Sequence, residues 1–250
     1  MAYLNLKYNS KNVGETSVNV FLPDEITSDM PVVWLLHGMH GSEESWRHRE
    51  LTARKLNEKG IVGIMPYAAN SFYCDMRNGE KYEELITSEL PEYLSKILPI
   101  SKKREKNYIM GLSMGGYGAF KLALDHPELY TAAVSLSGCL DIILDFEDPE
   151  WELGYADAIW GKNYKETVKN TADDLLYVLR NYPENAPRPK LYFCCGTEDF
   201  LYPQNMTFLE CVKGKGFDFT YEEGPGVHNW EFFEPWSVTG LEHVTKGNRK

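Results

Sequence analysis

Tyr108-Ile109-Met110-Gly111-Leu112-Ser113-Met114-Gly115-Gly116-Tyr117-Gly118-Ala119-Phe120 is the stretch whose reading decides the fold. An apolar run leads into Gly-x-Ser-x-Gly, and a helix-forming segment follows through Leu124. The order is strand, tight turn, helix. A serine on such a turn is crowded by backbone from both sides, and Gly111 and Gly115 remove the side chains that would clash there. The turn lifts the Ser113 hydroxyl above the sheet edge, at the N-terminus of the next helix. There the helix dipole and free N–H groups favour negative charge. Gly-x-Ser-x-Gly alone is common by chance. The flanking elements and a third glycine at 116 make Ser113 a candidate nucleophile. The plainer reading makes Ser113 the N-cap of an ordinary glycine-rich turn.

Outward from this turn, strand and helix signals alternate. Residues 16–22 alternate as a half-buried strand does. Val32–Leu36, Ile61–Met65, Ala132–Leu136 and Leu191–Cys195 are continuous apolar runs suited to strands buried on both faces. Residues 80–98 carry apolar positions at helical spacing, with Pro91 inside them to kink or divide the helix. A helix is expected at about 203–214, a strand at Phe217–Tyr221 and a last helix from near Asn229. This order predicts an α/β fold: a mostly parallel twisted sheet with helices on both faces. Sites in such sheets form at the C-terminal strand ends. Residues 139–188 are too long for a plain connection and rich in aromatics. They are read as an insertion over the site within one domain spanning 1–250, with some helix around 171–181.

A serine nucleophile needs a base, a group that orients the base, and donors for the oxyanion. The histidines are at 37, 40, 48, 126, 228 and 243. His228 lies in Gly224-Pro225-Gly226-Val227-His228, a shaped loop between the last strand and the last helix, and is the expected base. His126 falls at the far end of the serine helix, and His48 and His243 are expected to be solvated. Asp199 follows the 191–195 strand and is the expected acid. It places the three residues in the chain order Ser, Asp, His. Adjacent Glu198 and Asp141 remain alternatives. Backbone N–H groups of Met39 and Met114 are the expected oxyanion donors, and His37 is expected to hold its loop by hydrogen bonds.

Net charge is −11, from 26 basic and 37 acidic residues, which argues against nucleic acid or an anionic membrane as partner. No run approaches a membrane span, and the N-terminal residues lack the pattern of an export signal. Five cysteines (74, 139, 194, 195, 211) show no metal-type spacing, so neither metal nor cofactor is expected. Their odd number suits a reducing cytoplasm. The expected partner is a small-molecule ester, with a homo-oligomer left open.

Several motifs together carry a resemblance. They are Trp34-Leu35-Leu36-His37-Gly38-Met39 with Gly41 and Trp46, Asn70-Ser71-Phe72-Tyr73, Glu89-Leu90-Pro91, the serine turn, Gly196-Thr197-Glu198-Asp199 and Gly226-Val227-His228-Asn229-Trp230. With these the chain resembles the esterase D group of the α/β-hydrolases, and within it the tributyrin-esterase-like carboxylesterases. The resemblance implies a serine carboxylesterase acting on short-chain or small aromatic acyl esters through an acyl-enzyme, with Ser113, Asp199 and His228 as triad. Acetyl-xylan and feruloyl esterases, S-formylglutathione hydrolases and mycolyl transferases are related alternatives, and the His37-Gly38-Met39 loop favours the tributyrin-esterase branch over the formylglutathione one. A non-catalytic binding module would not need the whole constellation. Gly38, Tyr73, Trp151, Trp160 and Trp230 are the candidate substrate contacts; for the aromatic ones, burial in the core or lid is the competing reading.

Overall fold

The computed structural model describes residues 1–147 and 155–246. The first half carries β1 (Ala2–Ser10), β2 (Gly14–Leu22), β3 (Val32–Leu36), α1 (Glu50–Lys59) and β4 (Val62–Pro66). Next come α2 (Tyr82–Glu84), a π-turn (Leu85–Glu89), α3 (Leu90–Ile97), β5 (Asn107–Leu112), α4 (Met114–Asp125) and β6 (Ala132–Leu136). Four short helices follow: α5 (Ile142–Glu147), α6 (Ala156–Trp160), α7 (Tyr164–Thr167) and α8 (Leu175–Arg180). The chain closes with β7 (Lys190–Gly196), α9 (Tyr202–Val212), β8 (Phe219–Gly224) and α10 (Trp230–Val244).

The strands form one sheet in the order β1-β2-β4-β3-β5-β6-β7-β8. From β4 to β8 every pairing is parallel; β1 and β2 join antiparallel at one edge. The period of two explains the layers. In β3, Val32, Trp34 and Leu36 face one core, and Val33 and Leu35 face the other. The first core is covered by α2, α3, α4, α8 and α9, and the second by α1 and α10. Apolar runs with no polar alternation are what such a two-sided sheet requires.

One local expectation is corrected, and two local features are added to it. Strand β2 is buried from Thr16 to Leu22 rather than on one face. Its polar side is covered by residues 43–44, where Asn19 Nδ2 donates to Glu44 Oε1 at 2.8 Å and to the Glu43 carbonyl at 3.1 Å. Residues 2–10, to which the sequence reading assigns no element, form the edge strand of a hairpin with β2. Pro91 sits in the first turn of α3, directly after the π-turn, so the helical path continues with one wide turn where an α-helical ring would need the missing proline N–H. The same turn delivers Glu89, which accepts from Tyr8 Oη, Ser10 Oγ, Asn12 Nδ2 and the Lys11 N–H, tying the β1–β2 hairpin to the body.

The 139–188 segment leaves β6 beside the serine turn, and its described residues around Trp160 and Asp173 pack along the α4 side. Tyr117 Oη donates to the Asp173 carbonyl at 2.8 Å, and Trp160 Nε1 donates to Asp173 Oδ2 at 3.1 Å. Lys121 of α4, almost fully buried, meets Glu83 at 2.5 Å, Asp125 at 3.1 Å and Asp173 at 3.5 Å. Buried charges persist when paired in this way.

Candidate active site

The site begins with a strained residue. Ser113 has φ 55° and ψ −123°, which L-residues rarely adopt. A Cβ at Gly111 would run into the Gly115 carbonyl, so the turn can close only with glycine there. Hydrogen bonds hold it from behind: Ser113 N–H donates to the Leu136 carbonyl at 3.0 Å, and the Ser113 carbonyl accepts from Gly116 and Tyr117 N–H. Ser113 occupies the N-cap position of α4, yet its side chain makes no capping hydrogen bond. The hydroxyl is therefore not consumed by the helix. Met114 opens α4, and its N–H has no carbonyl acceptor behind it within the helix.

The loop after β3 approaches from the other side. A Cβ on Gly38 would lie 2.8 Å from Leu112 Cδ1 and 3.3 Å from Ser113 Cβ, so glycine lets this backbone close on the serine. His37 is fully buried; its Nε2 accepts from Ala68 N–H at 3.0 Å, and its Nδ1 donates to the Gly38 carbonyl at 2.8 Å. Burial pushes its pKa down, so it stays neutral and holds the loop. The Gly38 carbonyl also accepts from Gly41 N–H, which turns the chain at Met39.

At the ends of β7 and β8 two loops dock on each other. Thr197 N–H donates to the Gly224 carbonyl and Glu198 N–H to the Gly226 carbonyl, at 3.0 and 3.1 Å. Gly226 N–H returns a bond to Glu198 Oε2 at 2.6 Å. This pairing sets the loop so that His228 Nδ1 lies 2.8 Å from Asp199 Oδ2. Asp199 Oδ1 accepts from Leu201 N–H at 2.9 Å, and the Asp199 side chain is wholly buried. With Nδ1 engaged, Nε2 is the nitrogen available to the cavity. The alternative acids are placed elsewhere: Glu198 is bound to the loop backbone, and Asp141 Oδ1 accepts from Leu144 N–H at 3.3 Å at the start of α5.

Ser113 and His228 line one cavity of about 350 Å³, together with Gly38, Met39, His40 and Met114. Its remaining walls are Phe72, Leu112, Cys139, Phe200, Leu201 and Phe233. Among the described residues, no lysine, arginine, aspartate or glutamate lines it.

The aromatic candidates fare differently. Tyr73 is fully buried and donates to the His37 carbonyl at 2.8 Å, so it braces the loop from beneath instead of meeting substrate. Trp160 is also in the core, with Phe72 and Phe146 against its ring at 5.5 and 5.2 Å. Trp230 lies outside the cavity, between Trp46 and the Arg49 guanidinium, 3.8 Å over its ring. These rings carry large apolar area, and the fold spends it on packing. Trp151 lies outside the described residues. Among the histidines, His48 is exposed as expected. His243 is not simply solvated, because Thr220 Oγ1 lies 2.9 Å from its Nε2. His126 pairs with Glu83 at 2.8 Å, far from the serine end of α4. Phe200, Phe233 and Cys139 of the lining carry no motif in the sequence; only adjacency to Asp199 points to Phe200.

Known proteins agree with this geometry. The family model described as "Putative esterase" matches residues 11–239. The chain is 30% identical to an acetyl esterase of Caldicellulosiruptor saccharolyticus, over 90% of this chain and 87% of that protein. Fluorophosphonate-binding serine hydrolase F of Staphylococcus aureus superposes with a TM-score of 0.89 at 31% identity, covering 98% of both chains. An S-formylglutathione hydrolase of the same organism superposes at 0.86 with 32% identity, covering 98% of this chain and 99% of that one. On the serine turn, the cavity and these matches together, the chain belongs to the Esterase family and is a serine carboxylic ester hydrolase of the α/β-hydrolase fold.

Proposed function

We propose that the enzyme hydrolyses uncharged short-chain or small aromatic acyl esters through an acyl-Ser113 intermediate. The observation that carries this reading is the shared cavity. Ser113 and His228 both face it, and His228 is oriented from behind by Asp199 at 2.8 Å. Ser113 Oγ attacks the ester carbonyl while His228 Nε2 takes its proton. Asp199 holds the tautomer with the proton on Nδ1 and stabilises the imidazolium. Backbone N–H groups of Met39 and Met114 receive the oxyanion. Water then repeats the sequence on the acyl-enzyme. Among the described residues the lining holds no carboxylate, lysine or arginine, which supports neutral substrates, since a charge would lose hydration without gaining a partner there. The small volume supports short acyl groups. Five free cysteines, four of them buried, support a reducing, cytoplasmic setting.

The test is covalent labelling. A fluorophosphonate should add one phosphonyl group to the intact protein, mapped to Ser113, and none to Ser113→Ala. Loss of activity in that variant should be on the order of 10⁴-fold in kcat. Labelling elsewhere, or activity within tenfold of the parent, overturns the assignment. A panel of nitrophenyl esters of rising chain length, with S-formylglutathione beside it, ranks the acyl range.

A further inference from the structure

Among the described residues, Phe200 is the one large apolar side chain that both lines the catalytic cavity and stands mostly in solvent, at 63% exposure. Scattered exposed apolar residues are normal, so exposure alone says nothing. Position is what matters here. Its ring centroid lies 4.7 Å from that of His228, tilted by 51°. Its backbone is held on both sides: Asp199 N–H donates to the Gly196 carbonyl, and Asp199 Oδ1 accepts from Leu201 N–H. The ring is thus carried on a rigid corner rather than on a loose loop.

The chemistry says which part of a substrate meets that corner. In acylation the Ser113 Oγ–acyl bond forms and the acyl–alkoxy bond breaks. The proton that His228 Nε2 took from Ser113 passes to the departing alkoxy oxygen. The alcohol must therefore lie within hydrogen-bond reach of His228. The acyl carbonyl oxygen is directed the other way, toward Met39 and Met114. Of the cavity lining, the rings of Phe200 and Phe233 stand against the imidazole, at 4.7 and 5.0 Å between centroids. Neither is polar.

We propose that Phe200 is the alcohol-side platform of this site, and that the enzyme selects esters of apolar or aromatic alcohols over esters of polyols and sugars. The proposal rests on His228 as the proton donor to the leaving group. An aromatic alcohol can lie on the Phe200 face and bury it; a polyol there would lose water for no hydrogen bond.

Phe200→Ala tests this with one acyl group and a series of alcohols: benzyl, 2-phenylethyl, methyl and glyceryl acetate. Each substrate is scored as the ratio of parent to variant kcat/KM, so intrinsic reactivity cancels. An aromatic contact worth about 0.5–1.5 kcal/mol converts to about 2–12-fold. We expect that loss for benzyl and phenylethyl acetate and none for methyl or glyceryl acetate. Deacylation of the common acetyl-enzyme contains no alcohol, so kcat should not change where that step limits. An equal loss on all four esters, with a shifted pH profile, means that the ring only positions His228 and overturns the proposal. No change on any ester also overturns it. Fluorophosphonate labelling of the variant at the parental rate shows that the serine machinery is intact. If the parent enzyme does not label at Ser113, the reading of the site has failed rather than the platform.

Discussion

Asp199→Asn is the substitution for which the structure gives the sharpest expectation. Two donors converge on this buried carboxylate, Leu201 N–H at 2.9 Å and His228 Nδ1 at 2.8 Å. An asparagine has one acceptor oxygen for the two. If the oxygen faces His228, the amide nitrogen meets the Leu201 N–H and leaves a buried donor unpaired, at about 1–3 kcal/mol. If the oxygen faces Leu201, the NH₂ donates to Nδ1 and the proton moves to Nε2. That tautomer cannot accept the serine proton, and it is the arrangement with every bond made. The productive form is then disfavoured by about 1–3 kcal/mol. On the proposed mechanism the carboxylate that stabilises the imidazolium is also gone, which is worth about 4 kcal/mol for unit charges about 4 Å apart at an effective dielectric of 20. Together these give about 5–7 kcal/mol, or about 10⁴–10⁵-fold in kcat/KM. The assay is kcat/KM on a short nitrophenyl ester, with the thermal midpoint measured beside it. The midpoint should hardly move, since the favoured rotamer keeps both bonds. A loss under tenfold, or a loss matched by unfolding, would refute the reasoning.

Other expectations follow from contacts already described. Glu198→Ala frees Gly226 N–H and should lower kcat/KM on the order of tenfold, while Glu198→Gln, which can still accept that bond, should restore most of it; equal losses would assign the role to charge instead. The hydrogen bond to Glu83 raises the His126 pKa above its ordinary value. Its stabilisation is therefore fully present below about pH 6.5 and is lost as pH rises through the raised folded value. His126→Gln should cost about 0.5–1 kcal/mol in mild acid and little at alkaline pH, read from denaturant midpoints against pH; a deficit that grows with pH would reverse the sign. Trp160→Ala should cost about 3–5 kcal/mol of stability, read from urea unfolding, because its ring packs on Phe72 and Phe146 and its indole nitrogen serves Asp173. A change in ester selectivity without destabilisation would return that tryptophan to the substrate wall.

Local sterics explain how much was legible in the chain alone. The serine turn is specified by neighbours within a few residues: an apolar strand before it, glycines at its corners and a helix after it. Continuous apolar runs announce strands covered on both faces, and β3, β5, β6 and β7 lie close to where those runs stand. Asn229 caps α10 through Phe232 N–H at 3.2 Å, a start signal that is again local. The order Ser113, Asp199, His228 is visible without coordinates because the strand ends that carry these residues share one edge of a parallel sheet.

Long-range contact decided the rest. Chain order favours Asp199 over Glu198 and Asp141, but all three are carboxylates following strands, and contact decides which of them meets the histidine. Asp199 meets His228 because the β7 and β8 loops dock through Gly224 and Gly226, which points Glu198 at backbone and turns the next side chain inward. The aromatics show the same limit. Tyr73, Trp160 and Trp230 have the composition of a binding wall, yet packing placed them behind it, and Phe200 was left on the rim. A side chain's type tells how much apolar area it offers, and only the arrangement of distant elements tells whether protein or substrate covers that area.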